Sequence, residues 1–174
     1  LGIPGGTTTL MAAMMTASSE VVSTLLEYGA SVERIDTIGT DAFMYAASYG
    51  RSENVTCWLE RFKLFNLNRR DRLFGACALS HAIFFGANKL KTVQILLDAG
   101  ARLDFRTYSG ASALTNAAEN EDSDPDVVSL LLQELKQRHS AESFKSIVNY
   151  RRRAVDLKWK TIRLLARVSY RLGA

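Results

Sequence analysis

Histidine and cysteine are scarce in this chain, with two residues of each among 174. The histidines, His81 and His139, belong to no set of three or four Cys and His residues at the spacing of a metal site. The cysteines, Cys57 and Cys77, form no C-x-x-C pair, and each lies in an apolar helix pattern. We therefore expect two reduced, buried thiols, no disulfide and no metal site.

Motifs of nucleotide binding and nucleophilic catalysis are also missing. The glycine-rich residues 2–6 lack the preceding strand and the following Lys-Ser/Thr of a phosphate loop. There is no G-x-S-x-G elbow. The acidic run 119–126 lacks the glycine and the bidentate glutamate of a calcium loop. The sequence therefore predicts a non-enzymatic protein without catalytic residues, cofactor or small-molecule substrate.

Long apolar runs are absent, since none approaches the roughly 20 residues of a transmembrane helix. The chain opens without a methionine and without a secretory signal, and we expect a processed product or an excised piece of something longer. We expect an intracellular protein, whose compartment the sequence does not name. The hydrophobic content of 47% is ample for a packed core.

Charge is distributed unevenly along the chain. From Lys145 onward there are nine Lys or Arg residues and one acid, Asp156, which gives this segment a charge of +8. Because the whole chain carries +4, residues 1–144 carry −4. The sequence thus predicts a mildly acidic body followed by a strongly basic end.

What the chain has is a repeat marked by glycine. Gly6, Gly39, Gly75 and Gly110 follow one another at spacings of 33, 36 and 35 residues. Each is followed by a short alanine-bearing helix pattern and then by a more aliphatic one. A period near 33 indicates a solenoid, and solenoids mostly present surfaces to other molecules.

The units resemble the ankyrin repeat family over about residues 5–135. The best matches are Gly6, Thr8, Leu10 and Ala13, then Glu20-Val21-Val22, Leu25-Leu26 and Gly29-Ala30, and later Leu96-Leu97 with Gly100-Ala101. No unit keeps the family's Thr-Pro-Leu-His tetrad intact, because Thr9, Ala42, Ala78 and Ala113 replace the proline. This departure suggests a diverged and somewhat less stable array.

The resemblance implies an all-α helix-turn-helix solenoid with short β-hairpin-like tips. We expect four repeats within residues 1–136, at about 5–38, 39–74, 75–109 and 110–136. Residues 137–174 are expected to form a linker and a basic amphipathic helix.

The resemblance also implies that a protein partner binds at the concave groove and the hairpin tips. We expect Tyr45 and His81 to face this groove, because Ala46 and Ala82 beside them take the core-facing place. Phe85 and Tyr49 could instead bend under the neighbouring unit and belong to the core. The candidate partner-binding residues are Tyr45, Tyr49, Arg70, Arg72, Phe74, His81, Phe85 and Tyr108.

The basic C-terminal helix has three possible roles. Its apolar stripe could cap the fourth unit, because the end of a solenoid must be covered. The spacing of its apolar residues also resembles that of calmodulin targets, and its charge suits an anionic membrane or nucleic acid. The candidate residues are Arg151, Arg152, Arg153, Val155, Trp159, Ile162, Arg163 and Val168.

The predicted function is a scaffold for protein–protein interaction. The alternative is a structural subunit or internal segment of a larger assembly, in which the basic helix docks on an acidic partner. An accessory domain of an enzyme, with its chemistry elsewhere in a longer chain, stays open as a third hypothesis. The sequence does not identify the partner.

Overall fold

The computed structural model describes residues 4–86, 89–119 and 124–148 and shows a helical protein. The helices in these ranges are α1 (Thr9–Thr16), α2 (Ser19–Glu27), α3 (Ala42–Ser48), α4 (Ser52–Arg61), α5 (Ala78–Phe85), α6 (Lys89–Asp98), α7 (Ala113–Glu119), α8 (Pro125–Arg138) and α9 (Ala141–Val148). None of them combines the length and the apolar character that crossing a bilayer requires. The predicted all-α fold is confirmed.

The helices stack in two layers. Helices α1, α3, α5 and α7 pack one on the next and form an inner row, whereas α2, α4, α6 and α8 form an outer row. Each inner helix also contacts the outer helix that follows it in the chain, and α9 packs against α8. The described residues thus contain four successive helix pairs, while the expected unit boundaries stay a prediction.

The outer helices repeat one core position. Val22, Val55, Val93 and Val127 are buried, one in each outer helix. Each lies between the two layers, where burial of a valine side chain contributes about 1.5–3 kcal/mol. This recurrence explains why the aliphatic pattern follows every marker glycine.

Side-chain caps start three of the inner helices. Thr8, Asp41 and Ser112 each accept a hydrogen bond from the backbone amide three residues later, at 3.3, 2.8 and 3.2 Å. These bonds satisfy amides of the first helical turn that have no partner within the helix. The remaining inner helix, α5, follows Cys77, whose side chain makes no such cap bond.

The turns before α3, α5 and α7 are each closed by a backbone hydrogen bond. We name residues 36–40 the first tip, 71–76 the second tip and 107–111 the third tip. In each, the amide of the first residue donates to the carbonyl of the last, at 2.9–3.0 Å. Among the described residues, a single antiparallel bridge, between Ile35 and Asp41, flanks the first tip, and no longer strand is present.

The extra residues after α4 complete an aromatic cluster. Phe65 packs edge-on against Trp58 at 5.4 Å and against Phe43 at 5.2 Å between ring centroids. Phe62 lies 4.9 Å from Trp58. The longer exit of the second pair therefore adds core rather than a loose loop. The expected basic helix and its candidate residues, Arg151 to Val168, lie outside the described residues.

Candidate functional site

The tips are joined edge to edge by backbone hydrogen bonds. The Thr37 amide donates to the Gly5 carbonyl at 2.9 Å. In the same way Arg72 donates to Ile38, and Tyr108 donates to Phe74, both at 2.8 Å. One bond per step makes the tips a continuous ladder along one side of the array, so that their spacing is fixed by the backbone.

This ladder is why the marker glycines recur. Gly39 has a φ of +82°, and a Cβ there would lie 2.7 Å from the Arg72 amide nitrogen. Gly75 has a φ of +63°, and a Cβ there would lie 2.9 Å from the ring of Tyr108. Any other residue would be strained at such φ values and would also push the next tip away.

A buried carboxylate holds the first tip. Asp36 accepts hydrogen bonds from the amides of Ile38 and Thr40, at 2.9 and 2.8 Å. Its second oxygen accepts from the Tyr45 hydroxyl on α3 at 2.7 Å. These bonds tie the turn both to itself and to the inner helix row. Because the acceptor is a carboxylate, they are stronger than bonds between neutral groups.

The second tip repeats this arrangement with a histidine. The Asp71 carboxylate accepts from the Phe74 amide and, at 3.2 Å, from the Ala76 amide. His81 Nε2, on α5, lies 2.9 Å from Asp71 Oδ2, and His81 Nδ1 lies 2.9 Å from Ser48 Oγ on α3. The histidine therefore connects the second tip to two inner helices.

The expectation that Tyr45 and His81 face the groove is wrong. Their exposed fractions are 2% and 1%. Each points its polar end at the aspartate of the preceding tip, nine or ten residues earlier in the chain. The tip folds over the ring, so both residues position the tips and are not accessible. The sequence does hold the signal, because Asp36 and Asp71 stand three and four residues before the marker glycines Gly39 and Gly75.

Arg70 links the second tip to the third. Its Nε donates to the Gly75 carbonyl at 2.7 Å, and its guanidinium also donates to the Arg106 carbonyl. The same guanidinium lies 5.8 Å from the ring centre of Phe105 and 5.4 Å from that of Tyr108. Cation–π contacts of this kind contribute about 0.5–1 kcal/mol at exposed sites. Arg70 thus has a structural role in the ladder.

Arg72, Tyr108 and Tyr49 differ in accessibility. Arg72 is exposed, and Tyr108 is 55% exposed, so both reach the outer edge of the tips. Tyr49, at the end of α3, is half-buried, and this burial raises the pKa of its hydroxyl above the ordinary value. Two of the three therefore lie where a partner could meet them directly.

An apolar groove lies behind the second and third tips. Phe84 and Phe85, at the end of α5, pack edge to face with ring centroids 4.6 Å apart. Phe74 extends from the second tip toward the same space. The groove encloses about 430 Å³, including the part open to solvent. Its lining residues are Phe74, Ala76, Ser80, Phe84, Phe85, Thr107, Ser109 and Asn116.

The sequence reasoning identified part of this lining. Phe74 and Phe85 were expected at the groove, and the structure brings them together. Phe84 was missed, because an inner helix with two consecutive phenylalanines presents both rings only where the helix ends.

Cys57 is half-buried and Cys77 is buried, and both are free thiols. Within the described part of the chain, no three metal-ligating side chains lie together.

Known families provide a match to this architecture. A family model of ankyrin repeats, in three copies, matches residues 43–142, which is more than half of the chain. The chain belongs to the ankyrin repeat family. Ankyrin repeats are generally modules of protein–protein interaction and generally non-enzymatic. A search of curated proteins finds no match. The resemblance noted in the sequence is thereby confirmed, and the match itself covers residues 43–142.

Proposed function

We propose that this ankyrin array binds a protein partner through the second and third tips and the groove behind them. The observation that carries the proposal is the apolar groove, which is lined by three phenylalanines and framed by two tips of fixed spacing. A concave apolar site lined by aromatic rings offers an anchor contact to an apolar side chain of a partner. Because the ladder fixes the tips before a partner arrives, binding loses little conformational entropy of the tips.

The surface also has the composition of an interface. Phe74 and Phe85 supply apolar anchor contacts, while Arg72 and Tyr108 lie at the accessible edge. Aromatic and arginine side chains contribute most of the binding energy at measured interfaces. We therefore assign the anchor role to the groove and the orienting role to the tip residues.

A random peptide library, displayed on phage and selected against the full chain, tests this assignment. Affinities of the selected peptides are then measured for the wild type and for Phe85→Ala, Arg72→Glu and Tyr28→Ala. Tyr28 is 88% exposed at the end of α2, away from the tips, and provides the matched control. Circular dichroism of each variant checks that the helices are intact.

The groove proposal expects a selective loss. Phe85→Ala should weaken binding roughly 5- to 30-fold, which is the range of an interface anchor. Arg72→Glu should weaken by a similar factor those peptides that carry an acidic residue, because attraction to Arg72 becomes repulsion. Tyr28→Ala should leave the affinity as it is. If the selected peptides bind the Phe85→Ala protein as tightly as the wild type, the groove is not the binding site.

The alternative, docking of the basic C-terminal helix on an acidic partner, stays a prediction from the charge and the apolar spacing of the sequence. Its residues lie outside the described part of the chain. Titration of a peptide spanning residues 150–172 with calcium-loaded calmodulin, monitored by Trp159 fluorescence, tests the calmodulin form of this hypothesis. An unchanged spectrum at micromolar concentrations would remove it.

A further inference from the structure

A second apolar groove lies on the outer helix row, between α4 and α6, and we name it the outer groove. Apolar side chains from both helices and from the turn after α4 line it: Leu59, Phe62, Phe65, Leu67 and Ile95. It shares no lining residue with the groove behind the tips. The two grooves are therefore separate surfaces.

Leu64 projects into solvent at the rim of the outer groove. It is 100% exposed. The residues on either side of it in the chain, Lys63 and Phe65, both line the groove. A single exposed leucine is ordinary on a protein surface. Here it lies directly beside an apolar recess, so that one face of the protein carries both a projection and a recess of matching chemistry.

Opposite charges accompany the projection and the recess. Glu60 and Lys63 are both exposed, and both line the outer groove. Neither takes part in the ion pairs that form within the described residues. A face with both signs of charge can pair with a copy of itself, whereas a uniformly acidic or uniformly basic partner would be repelled by one of the two. The charges therefore favour a second copy of this chain as the occupant.

We propose that this face forms a twofold dimer, in which Leu64 of each copy enters the outer groove of the other. Lys63, next to Leu64 in the chain, then meets Glu60 of the opposite copy, and the symmetry makes each contact occur twice. Such an interface closes at two copies, whereas a head-to-tail contact of the same surfaces would grow into open chains. The dimer would present the groove behind the tips twice. That consequence rests on the proposed function, but the dimer itself does not.

Sedimentation velocity of the full chain, from about 5 to about 500 μM, measures the dimer. With one leucine anchor per copy, we expect a monomer–dimer equilibrium with a Kd on the order of 10–100 μM. Leu64→Ser removes the anchor from both copies and should raise the Kd roughly 10- to 100-fold. Leu90→Ser is the matched control and should leave the Kd unchanged, because Leu90 is 38% exposed on α6 and does not line the outer groove.

Charge reversal tests the twofold geometry independently. Lys63→Glu places two acids opposite each other at both contacts, and Glu60→Lys places two bases there. Each variant alone should therefore dimerise roughly 5- to 20-fold more weakly than the wild type. An equimolar mixture of the two variants restores an opposite-charge pair at both contacts, so it should form a heterodimer with a Kd within about threefold of the wild-type value. A change confined to one folded chain could not produce this recovery.

Three results would overturn the proposal. One is a wild-type chain that stays monomeric throughout the concentration range, or that grows beyond two copies. Another is a Leu64→Ser protein that dimerises as tightly as the wild type. The third is a mixture of the charge variants that associates no better than either variant alone. Phe85→Ala should leave the dimer unchanged, so a failure of the tip groove as a partner site and a failure of the dimer are told apart.

Discussion

Gly39→Ala is the change that most directly tests the ladder of tips. The substitution adds one Cβ at a φ of +82°, where it would lie 2.7 Å from the Arg72 amide nitrogen and 2.6 Å from Arg72 Cγ. A side-chain carbon can move aside, whereas the amide nitrogen is backbone and donates to Ile38 at 2.8 Å. The added methyl group therefore acts on the bond between the first and second tips.

Gly29→Ala provides the matched control. Gly29 has the same φ of +82°, and a Cβ there meets nothing within 4 Å. In both variants the left-handed alanine destabilises the fold by about 1–2 kcal/mol. The less flexible unfolded chain offsets this by about 0.4–1 kcal/mol. These contributions cancel between the two variants. Their difference in the free energy of unfolding then reports the clash alone.

The size of that difference follows from the contact distances. An ordinary Cβ contact is at least 3.4 Å, so the first two tips would have to separate by about 0.7 Å. This would stretch the 2.8 Å bond from Arg72 to Ile38 to about 3.5 Å, beyond a normal hydrogen bond. An amide left without its acceptor costs about 1–3 kcal/mol. We expect Gly39→Ala to be less stable than Gly29→Ala by that amount.

Urea unfolding followed by circular dichroism measures both variants under the same conditions. Adding Arg72→Ala to Gly39→Ala removes the contact with Cγ and should restore only part of the lost stability, because the amide contact stays. If Gly39→Ala and Gly29→Ala lose equal stability, the close approach of the tips does not constrain the glycine, and positive φ alone explains the repeat.

Two further predictions concern the buried carboxylates. Tyr45→Phe should destabilise the fold by about 1–3 kcal/mol and speed amide exchange at Thr40, because Asp36 loses a buried hydroxyl donor; urea unfolding and hydrogen exchange measure this. Burial raises the pKa of Asp41 above its usual value, so folding disfavours the ionised carboxylate. The free energy of unfolding therefore falls as the pH rises from the pKa of Asp41 in the unfolded chain through its pKa in the folded protein. Asp41→Asn keeps an acceptor for the Met44 amide and should be at least as stable as the wild type at pH 7. Urea unfolding midpoints of both proteins, measured at pH 7 and pH 4, should show that this advantage shrinks in acid. An advantage that stays constant or grows in acid would contradict the raised pKa of Asp41.

The repeat and its helices could be predicted from the sequence because each depends on local chemistry. A glycine that needs a positive φ, an extended cap residue and an apolar pattern of period 3.6 all act within one unit. Pro125 at the first position of α8, with Asp124 as its cap residue, is a local signal of this kind. Such features survive divergence of the Thr-Pro-Leu-His tetrad, because other caps satisfy the same amides.

The accessibility of the inner-helix residues could not be predicted in the same way. Tyr45 and His81 were placed by their offset from the core alanines, which is correct for a bare helix. What buries them is the preceding tip, whose aspartate binds their polar ends across nine or ten residues. An amphipathic pattern contains no information on whether a turn folds over a side chain. Asp36 and Asp71, which precede the marker glycines, were the available signal. They predict this burial only when the tip and the following helix are considered as one unit.

The two walls of the groove are held by different chemistry, and this difference bears on how a partner would be accommodated. The second tip carries Phe74 and is ordered by the Asp71 carboxylate. The third tip has Thr107 in the corresponding place, whose hydroxyl accepts from the Ala111 amide at 3.2 Å and pairs with Ser109. Hydrogen bonds to an ionised group are roughly twice as strong as neutral ones. The turn that carries Phe74 is therefore held by stronger hydrogen bonds than the third tip is.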